Sequence, residues 1–282
     1  MKLSKLLSSL GISSGFQEVE VSDIVYDSRK VKPDCLFVCL RGSASDGHRY
    51  AADAARAGAC VIVAEEPVEA PGAQVLLTGD TKTALALLSA AFFGNPAERE
   101  LKVIGITGTK GKTTTAYMVH SILESAGHKA GVMGTIGVLI GDEVTALENT
   151  TPASYEVQKH LRRMADAGCE YCVMEASSIG LKDQRAAGIP FEVGVFTNLT
   201  QDHLDYHKTF ENYLAAKMRI FAQARQAVVN RDDPHAQTIL NGLTIPCKTF
   251  GIREQADISA SEIDITTRGV QFDMHCPLGT IR

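Results

Sequence analysis

The sequence predicts an α/β protein with two domains. Apolar runs of strand length alternate with helical patterns along most of the 282 residues. A breaker sequence, Gly94-Asn95-Pro96, divides the chain. Beyond it, several strands end in polar residues, as in doubly wound sheets, which bind ligands at the carboxyl ends of their strands. We therefore expect a small α/β domain over residues 1–98 and a doubly wound domain over residues 99–282.

The first domain is predicted from a βαβ pattern. Apolar runs at 35–40 and 60–64 flank a helical pattern at 50–58, which ends at a glycine suited to a helix C-cap. Two strands joined by a helix favour parallel pairing. A second helix is predicted over 82–93, directly before the breaker sequence.

Two polar clusters lie near strand ends in this domain. They are Asp27-Ser28-Arg29 and Asp46-Gly47-His48. Taken alone, such clusters are more typical of turns with capping side chains than of ligand sites, and both interpretations stay open.

The second domain begins with a strand, a glycine-rich loop and a helix. The loop and helix start comprise Gly108, Thr109, Lys110, Gly111, Lys112, Thr113 and Thr114. Glycines let the backbone approach phosphate oxygens, and the helix N-terminus adds N–H donors. Lys112 can reach the outer phosphates of a nucleotide, and the Thr113 hydroxyl can ligate Mg²⁺. Ile106 occupies a position where the strict motif has glycine, so the loop is a variant; an ordinary glycine-rich turn is the alternative.

Further strands and helices follow along the second domain. Strands are predicted over 130–137, 171–175, 193–198 and 227–230, and a helix passes through 155–161. Alternation of apolar and polar residues over 258–274 predicts an antiparallel ribbon.

Four further side chains stand out in the second domain. Glu175 ends a buried strand, where a carboxylate commonly ligates nucleotide-bound Mg²⁺, although it could instead cap the next helix. His203 and His207 have a spacing that can bind metal on a helix, but either could be a satisfied structural histidine. By periodicity alone, Lys217 is a lysine that extends from an amphipathic helix to solvent.

Composition limits the partners of the chain. It is 45% hydrophobic and 22% charged, with a net charge of −5 and no block of Lys or Arg, so no nucleic-acid partner is expected. No apolar stretch is long enough for a membrane span or a signal peptide, and we expect a cytoplasmic protein without a membrane partner. The seven scattered cysteines are expected to be buried, reduced thiols, although Cys169 and Cys172 have metal or redox spacing.

In combination, these motifs closely resemble the Mur ligases of peptidoglycan synthesis. The resemblance runs from about Val21 to the chain end, and its N-terminal clusters point to the members that add the third residue of the peptide. The segments that carry it are Gly108–Thr114, Asn149-Thr150-Thr151-Pro152, Glu175-Ala176-Ser177-Ser178, 196–207, Ala215-Ala216-Lys217 and 230–234.

The resemblance implies an ATP site with two Mg²⁺ ions. Lys112 would contact the ATP phosphates, and Asn230 would lie on the adenosine side. Thr113 and Glu175 would ligate the first Mg²⁺. Lys217, carbamylated, would place the second Mg²⁺ together with His203, and these two with Lys112 form the implied catalytic set.

The resemblance also implies the substrates and the reaction. Tyr26, Ser28 and Arg29 would lie near a uridine nucleotide. The muramoyl peptide would face Thr150, Thr151, Ser177 and Arg185. The terminal carboxylate of UDP-MurNAc-L-Ala-D-Glu would be phosphorylated to an acyl phosphate, which the amine of diaminopimelate or lysine then attacks.

The sequence departs from the family pattern in four places, one of which is the turn Ser43-Ala44-Ser45, which lacks a His-Gln contact seen in some members. Ile179 replaces a common histidine, and Asp183 replaces a common glutamine two residues before Arg185. The chain ends at Arg282, so we expect a truncated central domain and no C-terminal Rossmann-like domain. Weak or absent ligation by this chain alone is then expected, unless a separate chain supplies that domain. The alternatives are a non-ligating nucleotide- or UDP-sugar-binding fragment, or a Mur-type ligase with another acceptor.

Overall fold

The computed structural model describes residues 1–42 and 45–282, which form two compact units. The first unit contains Met1–Arg99, Pro152–Asp166 and Asp183–Gly188, and the second contains Glu100–Thr151, Ala167–Lys182 and Ile189–Arg282. Each unit therefore draws on separated parts of the sequence.

The first unit is built on a four-stranded parallel sheet. Its strands, in the order β1-β2-β3-β4, are β1 (Ile24–Val25), β2 (Leu36–Val38), β3 (Val61–Ala64) and β4 (Gln74–Leu77). The predicted parallel βαβ pairing is confirmed, because β2 and β3 pair in parallel. Its helices are α1 (Leu3–Leu7), α2 (Ala51–Arg56), α3 (Thr81–Phe92), α4 (Pro96–Arg99) and α6 (Ser154–Asp166).

Helix α6 comes from a distant part of the sequence but belongs to the first unit. It packs against α3 and α4. Within this unit, Tyr155 donates a hydrogen bond of 2.7 Å to Asp23, and its ring lies edge-on to Phe93 with centroids 5.2 Å apart. Val157, Leu161 and other apolar residues of α6 are buried, which explains why the helix docks there.

The two polar clusters of the first unit form capped turns. The side chain of Asp27 accepts a hydrogen bond from the N–H of Arg29, and that of Asp46 accepts one from the N–H of His48. Each aspartate thereby begins a short 3₁₀ helix, at Ser28–Lys30 and Gly47–Tyr50. The capping interpretation is therefore confirmed for both.

The second unit is built on one large sheet. Its strands are β5 (Lys102–Thr107), β6 (Ala130–Gly134), β7 (Gly137–Ile140), β8 (Glu143–Thr145), β9 (Tyr171–Glu175), β10 (Phe191–Phe196), β11 (Ala224–Asn230), β12 (Cys247–Gly251), β13 (Ile258–Thr266), β14 (Gly269–Cys276) and β15 (Gly279–Ile281). Its helices are α5 (Lys112–Ser125), α7 (Ser178–Lys182), α8 (Leu204–His207), α9 (Phe210–Met218) and α10 (Ala236–Gly242).

The strand order confirms the doubly wound prediction. The order is β15-β14-β13-β12-β11-β10-β5-β9-β6-β7-β8. The consecutive neighbours in the part β13-β12-β11-β10-β5-β9-β6 all pair in parallel. β5 is the switch point, since β9 and β6 continue the sheet on one side and β10 and β11 on the other. Ligands of such sheets bind outside the carboxyl end of the strand at this point, which here leads into the glycine-rich loop.

Both edges of the sheet are antiparallel. The predicted ribbon is confirmed, because β13 and β14 pair in antiparallel fashion. At the other edge, β6, β7 and β8 form two antiparallel hairpins, where we had expected a single strand over 130–137. The chain turns back at residues 135–136, and Gly137, which begins β7 with φ of 139°, has a conformation suited to glycine.

Two further expectations concern the state of the cysteines and the presence of a membrane-spanning segment. All seven cysteines are free, with Cys35, Cys39, Cys169 and Cys172 buried and the others partly buried. Burial raises the pKa of the Cys169 and Cys172 thiols, which keeps them protonated. Within the described residues, every helix is too short or too polar to cross a membrane.

Candidate active site

The glycine-rich loop leaves the carboxyl end of β5 and is held by the end of β10. The N–H of Thr109 donates to the Asn198 carbonyl at 2.8 Å, and the N–H of Lys110 donates to the Asn198 side-chain oxygen at 2.9 Å. Gly108 has φ of 151°, and a Cβ atom there would collide with the Thr197 hydroxyl. Gly111, with φ of 83°, directly precedes α5. The two glycines therefore have conformations that other residues rarely adopt.

Two lysines converge on the first residue of this loop. Lys112 Nζ donates to the carbonyl oxygens of Gly108 and Thr109, each at 3.0 Å. Lys217 Nζ, from α9, donates to the same Gly108 oxygen at 2.8 Å. It also lies 4.5 Å from the centroid of the Tyr213 ring. The prediction from periodicity that Lys217 reaches solvent is wrong, since Lys217 is only 2% exposed.

Burial sets the protonation of both lysines. Burial, and after it the charge of Lys112, lowers the pKa of Lys217 to about 7, while Asp202 opposes the change. Burial likewise lowers the pKa of Lys112, against the attraction of Glu175 and Asp202. Near neutral pH, a substantial fraction of Lys217 is therefore an uncharged amine, which is a nucleophile.

Glu175 is a fully buried carboxylate at the end of β9, next to β5. It accepts hydrogen bonds from the Thr113 hydroxyl at 3.0 Å, from the Thr135 N–H at 2.9 Å and from the Thr135 hydroxyl at 3.2 Å. The alternative that it is a surface residue capping the next helix is therefore wrong. Carboxylate and hydroxyl oxygens in contact, beside a phosphate loop, form a donor set that suits Mg²⁺.

Three residues predicted to face a substrate lie around the carboxyl end of β9. The Thr151 hydroxyl donates to the Glu175 carbonyl at 2.9 Å and accepts from the Ser177 N–H at 3.0 Å. The Thr150 hydroxyl lies 3.1 Å from that of Thr135. Thr151 thus fixes the backbone, while Thr150 and Ser177 are only partly buried.

His203 and Asn230 lie at the carboxyl ends of the strands on the other side of β5. His203 adopts a left-handed conformation, with φ of 50°, and its side chain is 51% exposed. Its Nε2 is 3.8 Å from a carboxylate oxygen of Asp202. The Asn230 amide donates to the Thr197 carbonyl at 2.8 Å, so this side chain supports the same turn that holds the phosphate loop.

A cavity in the second unit brings many of these residues together. It is lined by Gly108, Thr109, Lys112, Ser177, Ser178, Ile179, Asp202, His203, Tyr213 and Lys217. Four of these, Ser178, Ile179, Asp202 and Tyr213, were not predicted as site residues. Tyr213 precedes Lys217 by four residues, a helical spacing that could have indicated a shared face. Ser178 lies in the segment Glu175-Ala176-Ser177-Ser178, which carries the family resemblance but predicts no role for it.

The remaining predicted residues belong to the first unit. Tyr26 lies 6.3 Å from Tyr155 between ring centroids, and Ser28 begins a 3₁₀ helix. Arg29 is exposed and pairs with Asp27 at 2.8 Å, an interaction that lowers the pKa of Asp27 to about 2.

Arg185 also belongs to the first unit. Its guanidinium lies 3.4 Å from an oxygen of Asp183, whose other oxygen accepts from Lys82 Nζ at 2.6 Å. Asp183, which replaces a glutamine common in the family, thus forms an ion pair with Lys82.

The fold and the site define a nucleotide-binding class of protein: a doubly wound sheet with a phosphate loop at its switch point and a buried carboxylate beside it. Two family models match, the Mur ligase middle domain over residues 106–281 and the Mur ligase family catalytic domain over residues 20–110. The chain belongs to the Mur ligase family.

Several relatives resemble the whole chain. The UDP-N-acetylmuramoyl-L-alanyl-D-glutamate–2,6-diaminopimelate ligase of Syntrophomonas wolfei is 42% identical over 98% of this chain and 58% of its own length. One such ligase of Clostridium acetobutylicum is 44% identical over 97% of this chain and 57% of its own length. The chain thus spans somewhat more than half of the curated relatives it matches.

Solved structures show the same fold. A structure of a UDP-N-acetylmuramoyl-L-alanyl-D-glutamate–2,6-diaminopimelate ligase superposes with a TM-score of 0.87 at 27% identity, covering 100% of this chain and 59% of that one. A MurF structure from Acinetobacter baumannii has a TM-score of 0.63 at 24% identity, covering 99% of this chain and 59% of that one.

Proposed function

We propose that this chain forms the N-terminal and central parts of an ATP-dependent amide ligase of peptidoglycan precursor synthesis. The enzyme adds the third peptide residue, diaminopimelate or lysine, to UDP-MurNAc-L-Ala-D-Glu through an acyl phosphate. The observation that carries the proposal is the convergence of Lys112, Lys217 and Gly108 at the switch point of the sheet. Relatives over 40% identical are named as ligases for 2,6-diaminopimelate, which favours that amino acid over lysine.

The loop supports binding of the ATP phosphates. Gly108, Thr109, Lys110, Gly111, Lys112, Thr113 and Thr114 form this part of the site. Backbone N–H groups at the start of α5 and the Lys112 ammonium group stabilise the negative charge that moves between phosphoryl and carboxylate oxygens. Asn230, which braces the loop through Thr197, is assigned to the adenosine side.

The residues present also fit Mg²⁺. The buried Glu175 carboxylate and the Thr113 hydroxyl are hard oxygen donors, and they would hold the first ion. When bound, Mg²⁺ neutralises developing charge on the phosphoryl oxygens. Glu175 itself is kept in place by both donors of Thr135.

Lys217 is assigned to a second Mg²⁺ site as a carbamate, with His203 as its partner. A buried lysine with a pKa near 7 has an uncharged amine that can attack carbon dioxide. The nitrogen forms a bond to carbon and loses a proton, which leaves an anionic carbamate oxygen pair. This change converts a cation that repels metal into an oxygen ligand.

The substrates are assigned to both units. In the first unit, Tyr26, Ser28 and Arg29 would bind the uridine nucleotide, and Arg185 would meet the acidic peptide. In the second, Thr150, Thr151 and Ser177 lie beside Glu175, where the carboxylate to be phosphorylated would be placed. Arg guanidinium groups are suited to phosphate and carboxylate oxygens, which these substrates carry.

A second candidate function is a nucleotide- or UDP-sugar-binding fragment that does not ligate. The observation that bears on it is that the chain spans 58% of the length of a curated relative. A Mur-type ligase with another acceptor is less well supported, because relatives over 40% identical are named for one acceptor.

Product mass spectrometry distinguishes these functions. The purified chain is incubated with Mg-ATP, UDP-MurNAc-L-Ala-D-Glu, lysine and diaminopimelate. A product heavier by one amino-acid residue is expected from a competent ligase and identifies the amino acid added. Binding of the UDP substrate without product would support the fragment, and neither binding nor product would contradict the assignment of the first unit.

A further inference from the structure

A buried histidine lies directly behind the cavity and contacts one of its lining residues. His207, the last residue of α8, is 0% exposed, and its Nε2 lies 2.9 Å from the Ser178 hydroxyl oxygen. Ser178 begins α7, is 2% exposed, and lines the cavity together with Lys112 and Lys217. Its contact with His207 has no part in the site assigned above.

The other ring nitrogen of His207 determines how this pair is protonated. Among the described residues, His207 Nδ1 has no hydrogen-bond partner, and its atom is buried. A buried donor without an acceptor is rarer in proteins than a buried acceptor without a donor. The favoured tautomer therefore carries its proton on Nε2. The lone pair of Nδ1 then has no hydrogen-bond donor, which costs less than an unpaired N–H group. The ring is fully buried and its Nδ1 has no hydrogen-bond partner among the described residues, and both conditions favour the neutral form.

This tautomer fixes the direction of the hydrogen bond. The Nε2–H group donates to the Ser178 oxygen, so the serine hydroxyl keeps its own hydrogen available for a second hydrogen bond. Within the part of the chain that the structure describes, His207 is the hydrogen-bond partner of that hydroxyl. The ligand that meets Ser178 in this cavity is anionic, because the Lys112 ammonium group lines the same space.

We infer that Ser178 is a hydrogen-bond donor to the terminal phosphoryl group of a bound nucleoside triphosphate, and that His207 is the positioning residue that directs its hydroxyl. The inference rests on the nucleotide site proposed above. The phosphate loop contributes Gly108 and Thr109 to the same cavity, which places the outer phosphate near Ser178. A hydrogen bond to that group distinguishes a triphosphate from a diphosphate.

Nucleotide affinity provides the first test, with the full chain and Mg²⁺. Ser178→Ala is expected to weaken binding of the triphosphate analogue AMP-PNP by about tenfold or more, as for loss of a hydrogen bond to a charged group. Binding of ADP is expected to stay within about twofold of the unsubstituted chain, because the terminal phosphoryl group is missing. Ser121→Ala, an exposed position on α5, is the matched control and is expected to change neither affinity.

Variants of His207 test the positioning role. His207→Leu is expected to weaken AMP-PNP binding as Ser178→Ala does, and the double variant is expected to lose no more than either single variant. His207→Gln retains an N–H donor at a position close to Nε2 and is expected to restore most of the affinity. If His207→Leu does not fold, the positioning role is still tested by the affinity of His207→Gln and by the NMR spectrum of the His207 ring in the unsubstituted chain.

The tautomer is read directly from long-range ¹H–¹⁵N correlations of the His207 ring in the unsubstituted chain. A proton on Nε2 is expected, and a proton on Nδ1 would overturn the assignment. Unchanged AMP-PNP binding by Ser178→Ala, or equal losses for AMP-PNP and ADP, would overturn the role of Ser178 alone. Failure of the unsubstituted chain to bind either nucleotide would overturn the nucleotide site itself, and the inference with it.

Discussion

Lys112 and Lys217 share one hydrogen-bond acceptor, the carbonyl oxygen of Gly108, although they are separated by more than one hundred residues in sequence. Burial lowers the affinity of Lys217 for a proton, and the nearby charge of Lys112 adds to the effect. The carbonyl oxygen of Gly108 therefore accepts hydrogen bonds from both the proposed nucleotide-binding lysine and the proposed metal-binding lysine.

The first prediction concerns the chemistry of Lys217. Lys217→Ala is expected to lower ligation by more than about a hundredfold in a ligation-competent form of the enzyme, because a charged ligand at the reacting phosphoryl group is lost. A short carboxylic acid added at high concentration is expected to restore part of the activity by replacing the carbamate oxygens. Lys102→Ala, at the exposed start of β5, is the control. Unchanged activity of Lys217→Ala would exclude the carbamate role.

The carbamate can also be detected without activity. Because the carbamate forms from the uncharged amine, ¹³C-bicarbonate is expected to produce a carbamate resonance in the unsubstituted chain and none in Lys217→Ala. A resonance of equal intensity in both proteins would assign the carbamate to another amine.

The second prediction compares the two loop glycines. Gly108→Ala is expected to destabilise the protein by more than about 2 kcal/mol and to abolish nucleotide binding, because the new Cβ atom collides with the Thr197 hydroxyl. Gly111→Ala has open space around its Cβ atom, so its cost is backbone strain alone, about 1–2 kcal/mol. Thermal unfolding and nucleotide titration measure both. Equal effects of the two substitutions would show that packing against Thr197 is unimportant.

The third prediction concerns the proposed ligand to the first Mg²⁺. Glu175→Gln replaces an acceptor of three hydrogen bonds by an amide that must turn N–H donors toward Thr113 or Thr135. We expect a loss of about 1–3 kcal/mol in stability and loss of the Mg²⁺ dependence of ATP binding. Titration of ATP with and without Mg²⁺ provides the measurement. A variant that keeps the full Mg²⁺ dependence would place the ion elsewhere.

The fourth prediction is a pH dependence of stability through His160. This residue of α6 is 5% exposed, and its Nδ1 lies 3.3 Å from an Arg163 nitrogen, which requires a neutral ring. Burial, and after it the charge of Arg163, lowers the pKa of His160. The unfolded chain then binds more protons than the folded chain, so stability falls as pH drops below about 6.5.

Replacement of His160 isolates this effect. His160→Gln keeps an acceptor for Arg163 but does not titrate, so its melting temperature is expected to fall less between pH 7 and pH 5 than that of the unsubstituted chain. Parallel curves for the two proteins would show that His160 does not contribute. The comparison applies to the first unit, because α6 packs within it.

Much of the fold followed from local sequence. The period of apolar residues located β2, β3, α3, β5, β9 and the ribbon of β13 and β14, since each has a length and pattern set by its own residues. The hairpins β6-β7-β8 were missed because the turn at residues 135–136 lies within a largely apolar run that also fits a single strand. Their pairing depends on a turn conformation that periodicity does not describe.

The candidate site also has a part that local sequence predicts and a part that depends on contacts between distant residues. The loop from Gly108 to Thr114 was recognisable because its residues are adjacent and its glycines and Lys-Thr pair have a local function. The burial of Lys217 and the contact of Thr113 with Glu175 arise between distant residues, as does the contact of His207 with Ser178. Helical periodicity even predicted that Lys217 reaches solvent.

By itself, the sequence determined many of the strands and helices and the phosphate loop, because these depend on neighbouring residues. Only the tertiary structure decided which side chains share the carboxyl edge of the sheet, how deeply Lys217 is buried and that α6 joins the first unit. The physical reason is that burial, and with it the pKa of a lysine or the tautomer of a histidine, is set by atoms brought together from distant parts of the chain.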